Sequence, residues 1–281
     1  MRGVHLDVAA LTTAPVLCYH RVGGPLELGV TRVGRSVFAR QMNALAKAGW
    51  RTLSLTEFAA PRTTPHVPRT FLLTFDDGYA SLADYAYPIL ADLGFTATTF
   101  LITEYVGRTN DWDVRYTWNR LSHLTWQQVE QWRARGFHFA SHGATHRRLT
   151  WLPDRDVEDE LARSREVLVE RLGPDAGRAI AYPFGAADGR ILRRATAAGY
   201  ELGFGGVKGT GEILNLARTP VYLWDVADVP VGLRSDAIGS LGRTVAHVAN
   251  RCAIGTTIMQ VARRRTAPPP ESIADGAAAR A

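Results

Sequence analysis

Phe71-Leu72-Leu73-Thr74-Phe75-Asp76-Asp77-Gly78-Tyr79 is the stretch on which the fold turns. Phe71–Leu73 is an apolar run of the kind that forms a strand buried on both faces, and it delivers two adjacent carboxylates at its exit. Burying two acids side by side is costly unless something positive compensates them. Neighbouring residues at a strand end project to different sides, so the two aspartates suit different jobs. One can ligate a cation while the other stays free as a base. Gly78 permits the tight turn that follows. Taken alone, an Asp-Asp-Gly is better read as a turn with an Asp capping a helix near Ser81.

Outward from this stretch, short apolar runs alternate with amphipathic segments, the pattern of βαβ units and a parallel sheet or barrel. The spacing predicts strands at Val16–Tyr19, Thr52–Leu55, Phe71–Phe75, Ala97–Ile102, Phe137–Ala140 and Ala179–Tyr182, with weaker ones at Leu202–Phe204 and Thr219–Leu223. It predicts helices over Arg35–Ala48, Ser81–Leu93, Thr125–Arg135, Asp156–Leu172 and Gly189–Ala198. No repeat of fixed period is present. Gly107–Leu124, rich in Asn, Asp, Arg, Tyr and Trp, lies between a strand and a helix, where a barrel carries functional loops. It reads equally as a sugar-lining loop and as plain surface.

A second signal gives the aspartates a purpose. Ser141-His142-Gly143-Ala144-Thr145-His146 also follows an apolar run, and histidines four apart converge on one ion when they share a helical turn. With one strand-end carboxylate they make a three-ligand set that leaves positions open for water and substrate, as catalytic rather than structural sites do. A third element, Ala181-Tyr182-Pro183-Phe184-Gly185, ends another apolar run. Pro183 biases Tyr182 away from helix, and the backbone N–H of Phe184 beyond the break can face a developing oxyanion.

The three segments, in this order, resemble the motifs of the polysaccharide deacetylase family, carbohydrate esterase family 4, over roughly residues 14 to 225. That resemblance implies an α/β fold, a distorted, incomplete (β/α) barrel in a single domain, and a metal-dependent hydrolase that removes an acetyl group from an N-acetylated sugar. It assigns Asp76 as general base, Asp77, His142 and His146 as metal ligands, and the Phe184 N–H as oxyanion donor. The expected cofactor is a divalent metal, with Zn²⁺ the default.

Two departures stand out. The family's arginine two residues before the motif proline is replaced by Ala181, and Gly255–Val261 lacks the late Leu-x-His that supplies a general acid. Both gaps recur in a branch resembling the poly-N-acetylglucosamine deacetylases, whose motifs are circularly permuted and whose chain opens with an apolar-Tyr-His segment. Here that segment is Pro15-Val16-Leu17-Cys18-Tyr19-His20, which makes His20 the expected general acid and leaves His247 as its rival. The branch also places an arginine after a late Leu-x segment, so Arg218 in Leu216-Ala217-Arg218 is the candidate to orient Asp76; an ordinary salt bridge is the competing reading.

An alternative within hydrolysis is a sugar deformylase or O-acetyl esterase; alternatives from other classes are a non-catalytic metal- or carbohydrate-binding relative and an iron oxygenase. The last usually sets its carboxylate close beside the first histidine, unlike this chain.

At 281 residues and 46% hydrophobic content the chain can bury one large core. The expected organisation is a catalytic domain over residues 1–262 and a disordered tail over 263–281, where arginines and three consecutive prolines give way to Ala, Gly and Ser. Met1–Thr13 do not read as a secretory signal and no stretch is apolar enough to span a bilayer, so a cytoplasmic setting is expected. Two distant cysteines, Cys18 and Cys252, give no disulfide framework. A net charge of +6 suits an anionic partner. The expected partner is an N-acetylated sugar, nucleotide- or lipid-linked forms included. Nucleic acid is not expected, and peripheral membrane contact is allowed through the Arg-rich segment Leu233–Arg265, which reads more readily as a core-packing helix.

Overall fold

A computed structural model of the chain describes residues 14–25, 30–60, 68–110, 120–207, 209–234, 236, 239, 241–242 and 244–245. Ten strands and six α-helices are described: β1 Val16–Tyr19, β2 Arg21–Val22, β3 Arg32–Val33, α1 Arg35–Lys47, β4 Arg51–Leu53, α2 Leu55–Ala59, β5 Thr70–Phe75, α3 Tyr87–Asp92, β6 Thr98–Leu101, α4 Trp126–Arg133, β7 His138–Ser141, α5 Asp154–Leu172, β8 Ala179–Ala181, α6 Gly189–Ala197, β9 Leu202–Phe204 and β10 Thr219–Pro220.

Eight strands form one sheet in the order β10-β1-β5-β6-β7-β8-β9, with β4 also paired to β5. Every pairing is parallel, with registers such as Tyr19↔Phe75 and Phe100↔Ala140. β2 and β3 make a separate two-stranded pair.

Alternation along the strands sorts the side chains into two layers. Val16, Leu72, Phe100, Ala140, Ala179, Ala181, Leu202, Phe204 and Leu216 form one inner cluster. Because β1 and β9 stand near opposite ends of the strand order, their sharing of one cluster requires the sheet to curl. The segment after β9 closes the curl: Leu216 bridges to Phe204, and three residues later Thr219 pairs with Leu17 of β1.

On the outside, Leu17, Tyr19, Phe71, Leu73, Phe75, Leu101 and Phe139 meet Phe38, Met42 and Leu45 of α1, Val129 and Trp132 of α4, and the end of α5. Ile180 meets Val157 and Leu161 of α5 with Ile191, Leu192 and Ala195 of α6. The (β/α) half-barrel expected from the resemblance is therefore the observed architecture.

Several boundaries differ from the sequence reading for physical reasons. The segment Ser81–Leu93 is not one helix: Leu82–Ala86 is a π-type turn and α3 begins at Tyr87 with Pro88 in its first turn. Pro88 has no N–H to donate to the preceding turn, so the chain widens before it. The last strand stops at Pro220 rather than Leu223. Leu55 belongs to α2 rather than β4, because Ser54 and Glu57 form a reciprocal capping box. Thr125 caps α4 in the same way through Gln128. Cys252, His247, the run 255–261, the tail 263–281 and part of the loop 107–124 lie outside the described residues. No described helix is long and apolar enough to cross a membrane.

Candidate active site

Parallel strands end at a common rim, and the alternation that packs their centres decides which end residues meet there. Leu72 faces inward, so Thr74 and Asp76 follow it; Val16 is followed inward by Cys18 and His20, and Ala140 by His142. The ladder persists far enough to keep this phase, since the Asp76 N–H donates to Tyr19 O at 2.9 Å and the His142 N–H to Leu101 O at 2.8 Å. Asp76, Asp77, His142, His146 and Arg218 are all buried at this end.

Asp77 escapes the alternation by a backbone turn. Its φ is 68° and that of Gly78 is 70°, two consecutive left-handed residues that swing the carboxylate toward the rim. A side chain at Gly78 would lie 2.6 Å from Leu101 Cδ2. The carbonyl of Asp77 is held by His123 Nδ1 at 2.8 Å.

The expectation that His142 and His146 share a helical turn is not met. Residues 142–148 form an irregular loop, with Gly143 at φ 79° and His146 at φ 56°. What shapes it is Glu160 on α5, fully buried, whose Oε2 accepts the amides of Ala144 at 3.0 Å and Thr145 at 2.9 Å, while Oε1 accepts the Thr145 hydroxyl. The buried amide of Ala144 and the half-buried amide of Thr145, left by the absent helix, thus find a carboxylate. Glu160 was not singled out from the sequence. Its signal was a charge in phase with Val157, Leu161, Ser164 and Leu168 on the buried face of the helix.

His142 Nδ1 lies 2.7 Å from Ala181 O. A carbonyl only accepts, so Nδ1 carries the proton and Nε2 of the neutral ring presents a lone pair. That Nε2 sits 3.4 Å from Asp77 Oδ1, and His146 Nε2 sits at the same 3.4 Å. Asp77 Oδ1 is buried with no hydrogen-bond donor in good geometry among the described residues. Three acceptor atoms turned toward one point are repulsive unless a cation fills it, so this donor set fits a divalent metal.

The charges agree with that fit. Burial raises the Asp77 carboxyl, but the two imidazoles beside it, His142 first and then His146, outweigh burial and bring it down to about 2. Burial holds His146 down at about 3, so the ring is neutral and able to ligate. His142 is opposed by burial yet pushed up by Asp76 and Asp77, the same demand for positive charge that a metal satisfies.

Asp76 stands apart from this set, its Oδ2 3.8 Å from His142 Nε2. Arg218 grips it with two parallel hydrogen bonds, NH1 to Oδ1 at 2.6 Å and NH2 to Oδ2 at 2.8 Å. Burial would raise this carboxyl, but the Arg218 charge and then His142 outweigh it and hold it well below the usual range. Arg218 arrives on the segment that closes the sheet and lies over the Phe100 ring, its carbon 5.5 Å from the centroid. Phe100 and Ala181 share the inner cluster, so the small side chain at 181 and the arginine at 218 occupy one lining.

His20 lies at the same rim, close enough to Asp76 and Asp77 for its charge to lower both. Phe184 adopts φ 61° and packs its ring 4.8 Å from that of His146. The five side chains Asp76, Asp77, His142, His146 and Arg218 thus interlock directly, with His20 and Phe184 on the rim beside them.

The polysaccharide deacetylase family model matches residues 63–203, half of the chain. The Bacillus subtilis protein YxkH, which carries a polysaccharide deacetylase name, is 29% identical over 191 residues, 67% of this chain and 63% of its own. The chain therefore spans less than two thirds of that relative. The Staphylococcus epidermidis poly-beta-1,6-N-acetyl-D-glucosamine N-deacetylase is 26% identical over 216 residues, 68% of this chain and 72% of its own. The structure of the Streptococcus pyogenes deacetylase PplD in complex with acetate superposes with a TM-score of 0.66 at 24% identity, covering 75% of this chain and 93% of that one, a likeness of fold. Matched over half its length, the chain belongs to the polysaccharide deacetylase family.

Proposed function

We propose that this chain is a metal-dependent hydrolase that removes the acetyl group from an N-acetylated sugar within a glycan or glycoconjugate. The observation that carries the reading is the division of labour between adjacent carboxylates. Asp77 shares one point with two imidazole nitrogens, and Asp76 is withheld from it by a buried arginine. A protein that only bound metal would gain nothing from the second buried acid. The named activity of the Staphylococcus epidermidis relative supports an N-acetylated hexosamine as substrate.

Asp77, His142 and His146 would hold a divalent cation, which when bound would supply Lewis acidity at the acyl carbonyl and the attacking water. Asp76 accepts the proton of that water, and the Arg218 fork fixes the carboxylate so that little reorganisation is needed. The Phe184 N–H donates to the oxygen that gains charge as the carbonyl carbon becomes tetrahedral. His20 gives its proton to the departing nitrogen, so the C–N bond breaks to release acetate and a free amino sugar. Nucleotide- and lipid-linked forms are included among the expected substrates, and zinc is the expected ion.

The test is acetate release from a panel of N-acetylhexosamine donors, before and after chelation and after metal is restored. The proposal expects release that chelation abolishes and metal restores. Formate release from N-formyl donors with no acetate release, or acetate release only from O-acetyl sugars, would replace it.

A further inference from the structure

Beside the Asp77 site lies a second group of ligating atoms that the chemistry above leaves partly idle. Cys18, His20 and Asp76 each offer one, and these atoms all fall within 4.8 Å of one another. The Cys18 thiol is free and buried, facing inward from β1, and donates to Asp76 Oδ2 at 3.5 Å. His20 Nδ1 is buried with no hydrogen-bond partner among the described residues. One thiol, one imidazole and one carboxylate make a three-donor set whose sulfur selects soft or borderline ions over magnesium or calcium.

We propose that Cys18, His20 and Asp76 form a second cation site, selective for thiophilic divalent ions such as zinc and cadmium, whose filling silences the enzyme. On binding, the ion displaces the thiol proton to solvent and forms a bond to Cys18 Sγ, while Asp76 Oδ2 and His20 turn their lone pairs to it. Asp76 Oδ2 already accepts from Arg218 NH2 at 2.8 Å, so it serves the ion with its remaining lone pair. The Arg218 charge and the ion held by Asp77, His142 and His146 both repel a second cation. The second site therefore fills after the first and more weakly. Filling it withdraws both Asp76 and His20 from proton transfer, so activity rises with the first equivalent of zinc and falls with the second. A hard cation at the first site produces no falling phase.

The experiment titrates cadmium into metal-free protein and follows bound equivalents by equilibrium dialysis and the thiolate-to-cadmium charge-transfer absorption. Wild type is expected to bind two equivalents, with the absorption appearing only with the second. Cys18→Ser keeps the shape and the hydrogen-bond donor but not the soft ligand, and is expected to bind one equivalent without the absorption. Cys18→Val guards against misfolding of the serine variant and is expected to do the same. Absorption that survives both substitutions would belong to Cys252 and would overturn the proposal, as would a single equivalent in wild type. A third arm compares each protein's acetate release at excess cadmium with its own release at one equivalent; the ratio falls at least tenfold in wild type and stays near one in the variants. Only this arm rests on the roles proposed for Asp76 and His20. His146→Ala separates the two readings: it loses the first equivalent and keeps the absorption if the second site exists by itself.

Discussion

At the residue scale the site works by contrast between neighbours. Asp76 and Asp77 differ by one position, yet one ends a strand in phase with the barrel lining and the other is turned by a left-handed backbone. His146 shows what this costs. Burial holds its folded pKa near 3 against an ordinary 6.5, so in metal-free protein the unfolded chain takes up a proton that the folded chain refuses. A depressed group of this kind contributes stability that is present above pH 6.5 and lost as pH falls toward 3. The expected loss is about 1.4 kcal/mol per pH unit from this residue. Urea unfolding of metal-free protein between pH 6.5 and 4 reads it directly. His146→Gln is expected to flatten the dependence by that amount, and parallel curves for the two proteins would contradict the assignment. His20 carries a separate expectation. As a general acid it matters for an amine leaving group and little for an activated ester, so His20→Ala is expected to lose on the order of 10² to 10⁴ in kcat on the amide alone. Equal losses on both substrates would make it a positioning residue, and full amide activity would move the role to His247 or to water.

At the scale of elements, the strand exits were legible in the sequence because a parallel strand buried on both faces is a run of apolar residues with a sharp end. Phe71–Phe75 and Leu202–Phe204 could be marked off from such runs, and the side that Asp76 and His142 face then follows from a period of two. The loop joining the two histidines was not legible in this way. A spacing of four suggested a helical turn, whereas the chain is held open by Glu160, a residue distant in sequence that lies on α5. Local spacing cannot reveal a partner supplied by tertiary packing. The bidentate contact of Arg218 with Asp76 is non-local too, 142 residues apart, and only the resemblance to a permuted branch drew attention to that arginine. Glu160→Ala is expected to take the carboxylate from the amides of Ala144 and Thr145 and loosen His146, lowering metal affinity about 10- to 100-fold. Isothermal titration with zinc checks this. Glu160→Gln, which keeps one acceptor oxygen, is expected to lose less, and wild-type affinity in both variants would remove Glu160 from the account.

At the scale of the molecule, the curled sheet gathers strand ends from positions 20, 76 and 142 and the closing segment at 218 onto one rim. Catalysis is therefore expected to depend on the barrel and not on the Pro- and Ala-rich end of the chain, which is poor in large apolar residues. A chain ending at Ala262 is expected to keep the full chain's rate of acetate release on a soluble substrate, and an intact fold without that rate would contradict the expectation. The most direct test of the whole account measures bound zinc and acetate release on the same preparations of wild type, His146→Ala and Asp76→Asn. The account predicts that His146→Ala, at zinc too dilute to fill the weaker Cys18 site, loses most of its metal and its activity together. Asp76→Asn keeps about one equivalent of metal at stoichiometric zinc and loses turnover, because an amide cannot accept the proton of water. Near-normal turnover in Asp76→Asn, or unchanged metal in His146→Ala, would contradict the division of labour between the two aspartates.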